Sequence, residues 1–220
     1  MVVAALLVAF PGTAPAADVT SSAGRLERVG ASGTCSATLV APDMAVTAAH
    51  CVNPERLRTG DAPQVFFRPA APAGAAPPLA VVAAVRHPLY APGRGSEQVW
   101  RFPFDLAVVR LVRGLPARVN PALPDGPPPE VGERLTLVTW RGSDEEPVVR
   151  ECPVIPGAPG MITLGCPVQG GESGGAVLRL SGVRAVIVAV LTSRRQIGAL
   201  PLAQASPLEL RLEPMLRLID

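Results

Sequence analysis

Short apolar runs recur along this chain and are cut off almost at once. They are Ala37–Val40, Met44–Thr47, Val65–Arg68, Leu79–Arg86, Leu106–Val112, Leu135–Trp140, Gly175–Leu180 and Arg184–Thr192. Most are rich in Val, and Gly, Pro or Asp bounds them. That punctuation is the signature of sandwich or barrel strands and not of helices with a 3.6-residue period. The fold class expected is therefore all-β, although abundant Ala leaves short helix as the competing reading for some runs. The end of the chain differs. In Glu213–Ile219 a Pro stands where a first helical turn tolerates it and an amphipathic pattern follows, so a short C-terminal helix is predicted.

The chain has 220 residues, enough for one or two compact units. Hydrophobic residues make up 48% and charged ones 17%, which supplies a core and excludes disorder. Aromatic residues reach only 4%, too few for a platform that stacks single-stranded bases. The net charge of +2 is too balanced for a phosphate-binding surface, so nucleic acid is not an expected partner. Every basic side chain is Arg, which reads as composition bias and not as a site. Two Pro-rich stretches interrupt the strand pattern. Pro69–Pro78 reads as a surface loop, and residues 121–130 read as a linker between halves of similar size, with another loop as the alternative.

No apolar run approaches the roughly 18–20 residues needed to span a bilayer. Val2–Phe10 followed by Ala14-Pro15-Ala16 reads as an export signal cleaved after Ala16, making residues 1–16 a signal peptide. Its amino-terminal region carries no Arg or Lys, and an ordinary buried strand is the competing reading. The cysteines are Cys35, Cys51, Cys152 and Cys166, with no C-x-x-C pair, and His50 and His87 are the only histidines. That pattern argues against zinc and for two disulfides, most simply Cys35–Cys51 and Cys152–Cys166, although four cysteines permit three pairings. Such bonds persist in an oxidising compartment, so a secreted or periplasmic location is expected.

Three segments carry candidate chemistry. In Val46-Thr47-Ala48-Ala49-His50-Cys51, a lone His is either structural or a general base held rigid by its neighbouring cysteine. In Phe102-Pro103-Phe104-Asp105-Leu106-Ala107, the carboxylate either faces water at a strand end or accepts a hydrogen bond from an imidazole. In Gly170-Gly171-Glu172-Ser173-Gly174-Gly175, glycines on both sides of a Ser allow a strained turn that presents Oγ and aims backbone N–H groups together. All three in the order His, Asp, Ser are far rarer than any one alone.

On these motifs the chain resembles the chymotrypsin/trypsin-like serine protease family, from about Thr34 to the terminal helix. Thr47–Cys51 resembles the family's His motif, Asp105–Leu111 its Asp strand and Gly171–Gly175 its nucleophile turn. The family also pairs a cysteine at the position of Cys35 with the one after the His. The resemblance implies two packed six-stranded antiparallel β-barrels with a cleft between them. Residues 17–120 would form the first barrel with His50 and Asp105, and residues 131–220 the second with Ser173 and the terminal helix. It implies that Ser173 attacks the scissile carbonyl, that His50 moves the proton and that Asp105 orients His50. The N–H groups of Gly171 and Ser173 would form the oxyanion hole. A polypeptide substrate and a monomer are implied, with no cofactor and no metal.

The sequence departs from the family in four places. Glu172 stands where the family has the Asp that pairs, in activated zymogens, with a newly cut amino terminus. The candidate cut, Arg28 before Val29-Gly30, lies so close to Cys35 that the same switch is not expected. Ala176 replaces the usual Pro. Cys166 lies seven residues before Ser173, resembling short bacterial members. Six residues before the nucleophile stands Pro167, then Val168, where cleavage after Arg or Lys would need an acidic side chain. The substrate pocket is expected among Pro167, Val168, Thr192 and Arg194, with a small or apolar P1 side chain as the default. Arg194 and Arg195 either attract an acidic one or are solvated loop residues. His87 reads as a loop residue, and Tyr90, Trp100 and Trp140 read as packing. The expected function is a serine endopeptidase; a catalytically silent binding protein on the same scaffold and an esterase are the competing readings.

Overall fold

Strict alternation builds the staves of the first barrel. In β6 (Val65–Pro69), Val65, Phe67 and Pro69 are buried while Phe66 and Arg68 lie half-exposed, the period-2 pattern of a strand with one face on a core. The computed structural model describes residues 18–70, 77–91, 103–115, 127–142, 144, 146–182 and 184–219. The expected signal peptide, Trp100 and most of the two Pro-rich stretches fall outside them.

The first barrel closes from β1 (Ala23–Arg28), β2 (Cys35–Ala41), β3 (Met44–Thr47), β6, β7 (Leu79–Arg86) and β8 (Ala107–Leu111), in the order β1-β2-β3-β8-β7-β6. A two-stranded ribbon, β4 (Arg58–Thr59) with β5 (Ala62–Pro63), stands beside it. The second barrel closes from β9 (Arg134–Thr139), β10 (Val148–Ile155), β11 (Ile162–Leu164), β12 (Ala176–Ser181), β13 (Arg184–Ile197) and β14 (Leu200–Pro207), in the order β10-β11-β14-β13-β12-β9. Neighbouring strands pair antiparallel throughout. The two antiparallel six-stranded barrels expected from the resemblance are therefore present, with one short helix, α1 (Leu212–Ile219), after them.

Among the described residues, three apolar clusters hold the molecule together. One fills the first barrel around Phe67, Leu26, Leu39 and Val109, and another fills the second around Leu137, Leu164, Val177 and Leu191. The third lies between the barrels, joining Val46, Leu106 and Val108 of the first to Val138, Leu178, Ile187 and Val190 of the second, with Met215 of α1. β13 feeds two clusters from opposite faces, so Ala185–Leu191 is buried without interruption. Val177 pairs with Ala189 but Leu178 with Ile187, which leaves Val188 as the extra residue of a bulge. The bulge shifts the alternation, so that Val186, Val188, Ala189 and Leu191 enter the barrel while Ile187 and Val190 face its neighbour. Although α1 follows the second barrel, it packs on β7 and β8 of the first.

Cys35 is bonded to Cys51 and Cys152 to Cys166, the simplest pairing. Each closes a short loop, worth about 3 kcal/mol in the chain-entropy account. The first ties the turn after β3 to the start of β2, and the second ties β10 to the segment after β11.

Candidate active site

Strand pairing brings His50 and Asp105 together. β3 and β8 are neighbours, with Thr47 opposite Ala107, so the residues just beyond that pair meet at the same end of the barrel. After Thr47 the chain turns through one 3-10 turn, Ala49–Cys51, capped by Ala48; Ala48 and Ala49 are fully buried. Asp105 is buried and turns both oxygens to one residue: Oδ1 accepts the backbone N–H of His50 at 2.9 Å and Oδ2 meets Nδ1 at 2.7 Å. A carboxylate on Nδ1 makes that nitrogen the donor and leaves Nε2 as the lone-pair side of the ring. Of the two readings open for Asp105, the structure shows the imidazole-bound one.

The turn that carries Asp105 is itself held. Phe104 stacks on the His87 ring, centroids 4.8 Å apart, and the Arg211 guanidinium lies 5.0 Å over the Phe104 ring. Arg211 also donates to the carbonyl of Pro103 at 2.9 Å. His87 is half-buried, its Nδ1 accepting the Leu89 N–H at 3.2 Å. Burial, with help from the Arg211 charge, holds its pKa below the ordinary imidazole value. Tyr90 packs at the edge of the first barrel's core, and its hydroxyl is pushed up by burial and by the charge of Asp105.

Ser173 sits on the turn between β11 and β12. Its carbonyl accepts the N–H of Ser36 at 2.7 Å, a bond from one barrel to the other. Gly174 is required there: with φ at +90°, a Cβ would lie 2.0 Å from the Ser36 carbonyl oxygen and 2.3 Å from Thr47 Oγ1. Ser36 is fully buried, and its hydroxyl accepts the N–H of Trp140 at 2.7 Å and reaches the Gly171 carbonyl at 3.2 Å. The Ser173 hydroxyl donates to the Thr192 carbonyl at 3.4 Å. Within the turn the N–H groups of Glu172, Gly174 and Gly175 are bonded to backbone oxygens. Among the described residues, those of Gly171 and Ser173 have no acceptor. Unspent donors on either side of Glu172, one of them on the residue that carries the hydroxyl, are the kind of group a developing oxyanion needs.

Two concavities adjoin this turn. One of about 470 Å³ is lined by Val168, Arg194, Arg195, Gln196, Pro201 and Leu202. Val168 and Arg194 thus share a cavity, while Thr192 lies beside the Ser173 turn and Pro167 is exposed, its carbonyl accepting Arg150 Nη1 at 2.6 Å. The other, about 600 Å³, opens beside Gly171 between Arg25, Glu27, Thr34 and Gly142. Cys35, His50 and Cys51 are close enough to suggest metal ligands, but their two sulfurs are bonded to each other.

Sequence reading passed over three residues of this region: Ser36, Arg141 and Arg150. Glu172 is fully buried, with Oε1 accepting Arg141 Nε at 2.8 Å and Oε2 accepting Arg150 Nη2.

The family model described as Trypsin matches residues 15–153, more than half of the chain. The chain therefore belongs to the trypsin family. Its fold is similar to that of neuropsin, a serine protease expressed in the limbic system of mouse brain. That likeness has a TM-score of 0.70 at 15% identity and covers 91% of this chain and 95% of the other. No curated protein matches by sequence. The family match ends before Ser173, so the second half of the site rests on its geometry alone.

Proposed function

We propose that the protein is an exported serine endopeptidase with Ser173 as nucleophile, His50 as general base and then general acid, and Asp105 as the orienting carboxylate. One observation carries the reading: Asp105 clasps His50 by Nδ1 and by its main-chain N–H, with the Ser173 turn packed across the same end of the barrel. With Nδ1 engaged, Nε2 is the basic nitrogen. It takes the Ser173 proton as Oγ attacks the scissile carbonyl, and the imidazolium that forms is stabilised by Asp105. The oxyanion is received by the N–H groups of Gly171 and Ser173. Collapse expels the leaving amine, which His50 protonates, and water then hydrolyses the acyl-enzyme by the reverse roles.

The cavity beside Val168 receives the P1 side chain. Among the described residues its lining holds Arg194 and Arg195 and no carboxylate, which favours an acidic P1 side chain over the small or apolar default and disfavours Arg and Lys. Two disulfides suit an oxidising compartment, which supports export.

A fluorophosphonate probe tests the reading. Labelling located at Ser173 and absent in His50→Ala is the expected result. A folded, disulfide-bonded protein that takes no label would overturn it in favour of a silent binding scaffold, and turnover of esters without peptides would make it an esterase.

A further inference from the structure

Glu172 immediately precedes Ser173, and no part of its side chain reaches water. A buried carboxylate must find its counter-charges inside the protein. Here each oxygen has its own: Oε1 takes Arg141 Nε at 2.8 Å and Oε2 takes Arg150 Nη2. Arg141 follows the end of β9, and Arg150 lies on β10, the strand paired with it. Arg150 reaches further, donating Nη2 to Thr139 Oγ1 at 3.2 Å and Nη1 to the Pro167 carbonyl at 2.6 Å. It keeps this place although its buried Nε finds no acceptor among the described residues.

The main chain of Glu172 is equally engaged, its N–H on the Gln169 carbonyl and its carbonyl on the Gly175 N–H. Side chain and backbone thus fix a single orientation for the residue that lies between Gly171 and Ser173, whose N–H groups are the unspent pair. We infer that Arg141 and Arg150 are positioning residues that lock the nucleophile turn through Glu172, so that the site is assembled in the uncut chain without any freed amino terminus. The inference rests on the reading of Ser173 as nucleophile. The upstream strand agrees with it. Arg28, the candidate cut, ends β1, a stave paired on both sides by β2 and β6, and the N–H of Val29 is already spent on the Gln64 carbonyl.

The composition offers a direct experiment. The chain contains no Lys, so its amino terminus is the sole aliphatic amine and mild amine acetylation blocks that group alone. The acetylated full chain should label with fluorophosphonate at the untreated rate. Arg150→Met and Arg141→Met should lose kcat by about 100-fold or more, the scale of one lost oxyanion donor, with KM within about threefold. Arg150→Lys should recover part of the loss. Should Arg150→Met fail to fold because it strands a charge, Glu172→Gln/Arg150→Met removes both charges and should fold with the same defect in kcat.

Hydrogen exchange at the Gly174 and Gly175 amides supplies a readout independent of turnover. Protection should survive acetylation and fall at least tenfold in Arg141→Met/Arg150→Met, while amides of β8 and β13 stay unchanged. Loss of labelling or protection on acetylation would overturn the lock, as would full kcat and protection in the double variant. A protein that takes no label yet keeps these amides protected through acetylation would sink the nucleophile reading and leave the lock standing.

Discussion

At the scale of single residues, Asp105 carries the sharpest expectation. Both of its oxygens serve His50, so Asp105→Asn would favour the wrong imidazole tautomer with little change of shape. Peptide turnover should fall by about 10⁴-fold with the folded spectrum intact, measured as kcat beside circular dichroism. Ser173→Ala should fall further, by about a millionfold on subtilisin precedent. His87 gives a pH signature instead. Its folded pKa lies below the unfolded value of about 6.5, so the unfolded chain binds the proton more readily. Its contribution is complete above pH 6.5 or so and is lost as pH falls toward the folded value. Urea midpoints measured from pH 8 down to pH 5 should decline, and His87→Phe should flatten that limb. Glu27 and Glu133, held low chiefly by hydrogen bonds from Arg68 and Arg179, act in a separate window. Their contribution is present above about pH 4.5 and fades below it.

Among the elements, Gly174 is the point where the Ser173 turn meets the first barrel. Gly174→Ala places a methyl inside contact distance of the Ser36 carbonyl at a φ of +90°, and should cost about 3 kcal/mol or more. Gly182→Ala, at +59° with open space around it, should cost only about 1–2 kcal/mol. Chemical denaturation of the two variants checks the difference. On β13, Arg194→Glu/Arg195→Glu should lower kcat/KM for peptides with Asp or Glu at P1 and raise it for Arg, by about tenfold each way, an effect that salt weakens.

The elements also divide into those the sequence announces and those it conceals. The runs that read as strands became β2, β3, β6, β7, β8, β9, β12 and β13, each with apolar side chains on a core. β1 and β10 were silent because Arg25, Glu27, Arg150 and Glu151 interrupt them, leaving Leu26, Cys152 and Val154 as an intermittent apolar signal. β14 mixes Ala203, Ala205 and Ser206 with Leu202 and Gln204 between two prolines, and β11 is three residues long. The site shows the same division. His50, Asp105 and Ser173 each stand in a short local motif. Arg141, Arg150 and Ser36 act across 22 to 135 residues of sequence. Two of them are arginines in a chain where every basic residue is Arg, so no local pattern marks them.

For the whole molecule, the cluster between the barrels makes folding a joint affair. Met215 is fully buried there although it lies on α1, and Met215→Ala should cost about 2–5 kcal/mol. The cost should appear as one lowered urea transition for the entire protein, followed by Trp140 fluorescence; two separate transitions would show independent barrels.

The placement of α1 has a consequence for how a copy is made. The helix covers β7 and β8, yet the ribosome adds it about a hundred residues after β8. At roughly 5–20 residues per second, the first barrel waits on the order of 5–20 s for its cover. Throughout that interval an apolar flank stays bare, open to a chaperone, and the seam against the second barrel is unsealed. A half-made copy is therefore both easy to keep unfolded and unable to bring its two barrels together, and α1 acts as the latch on the two-barrel unit.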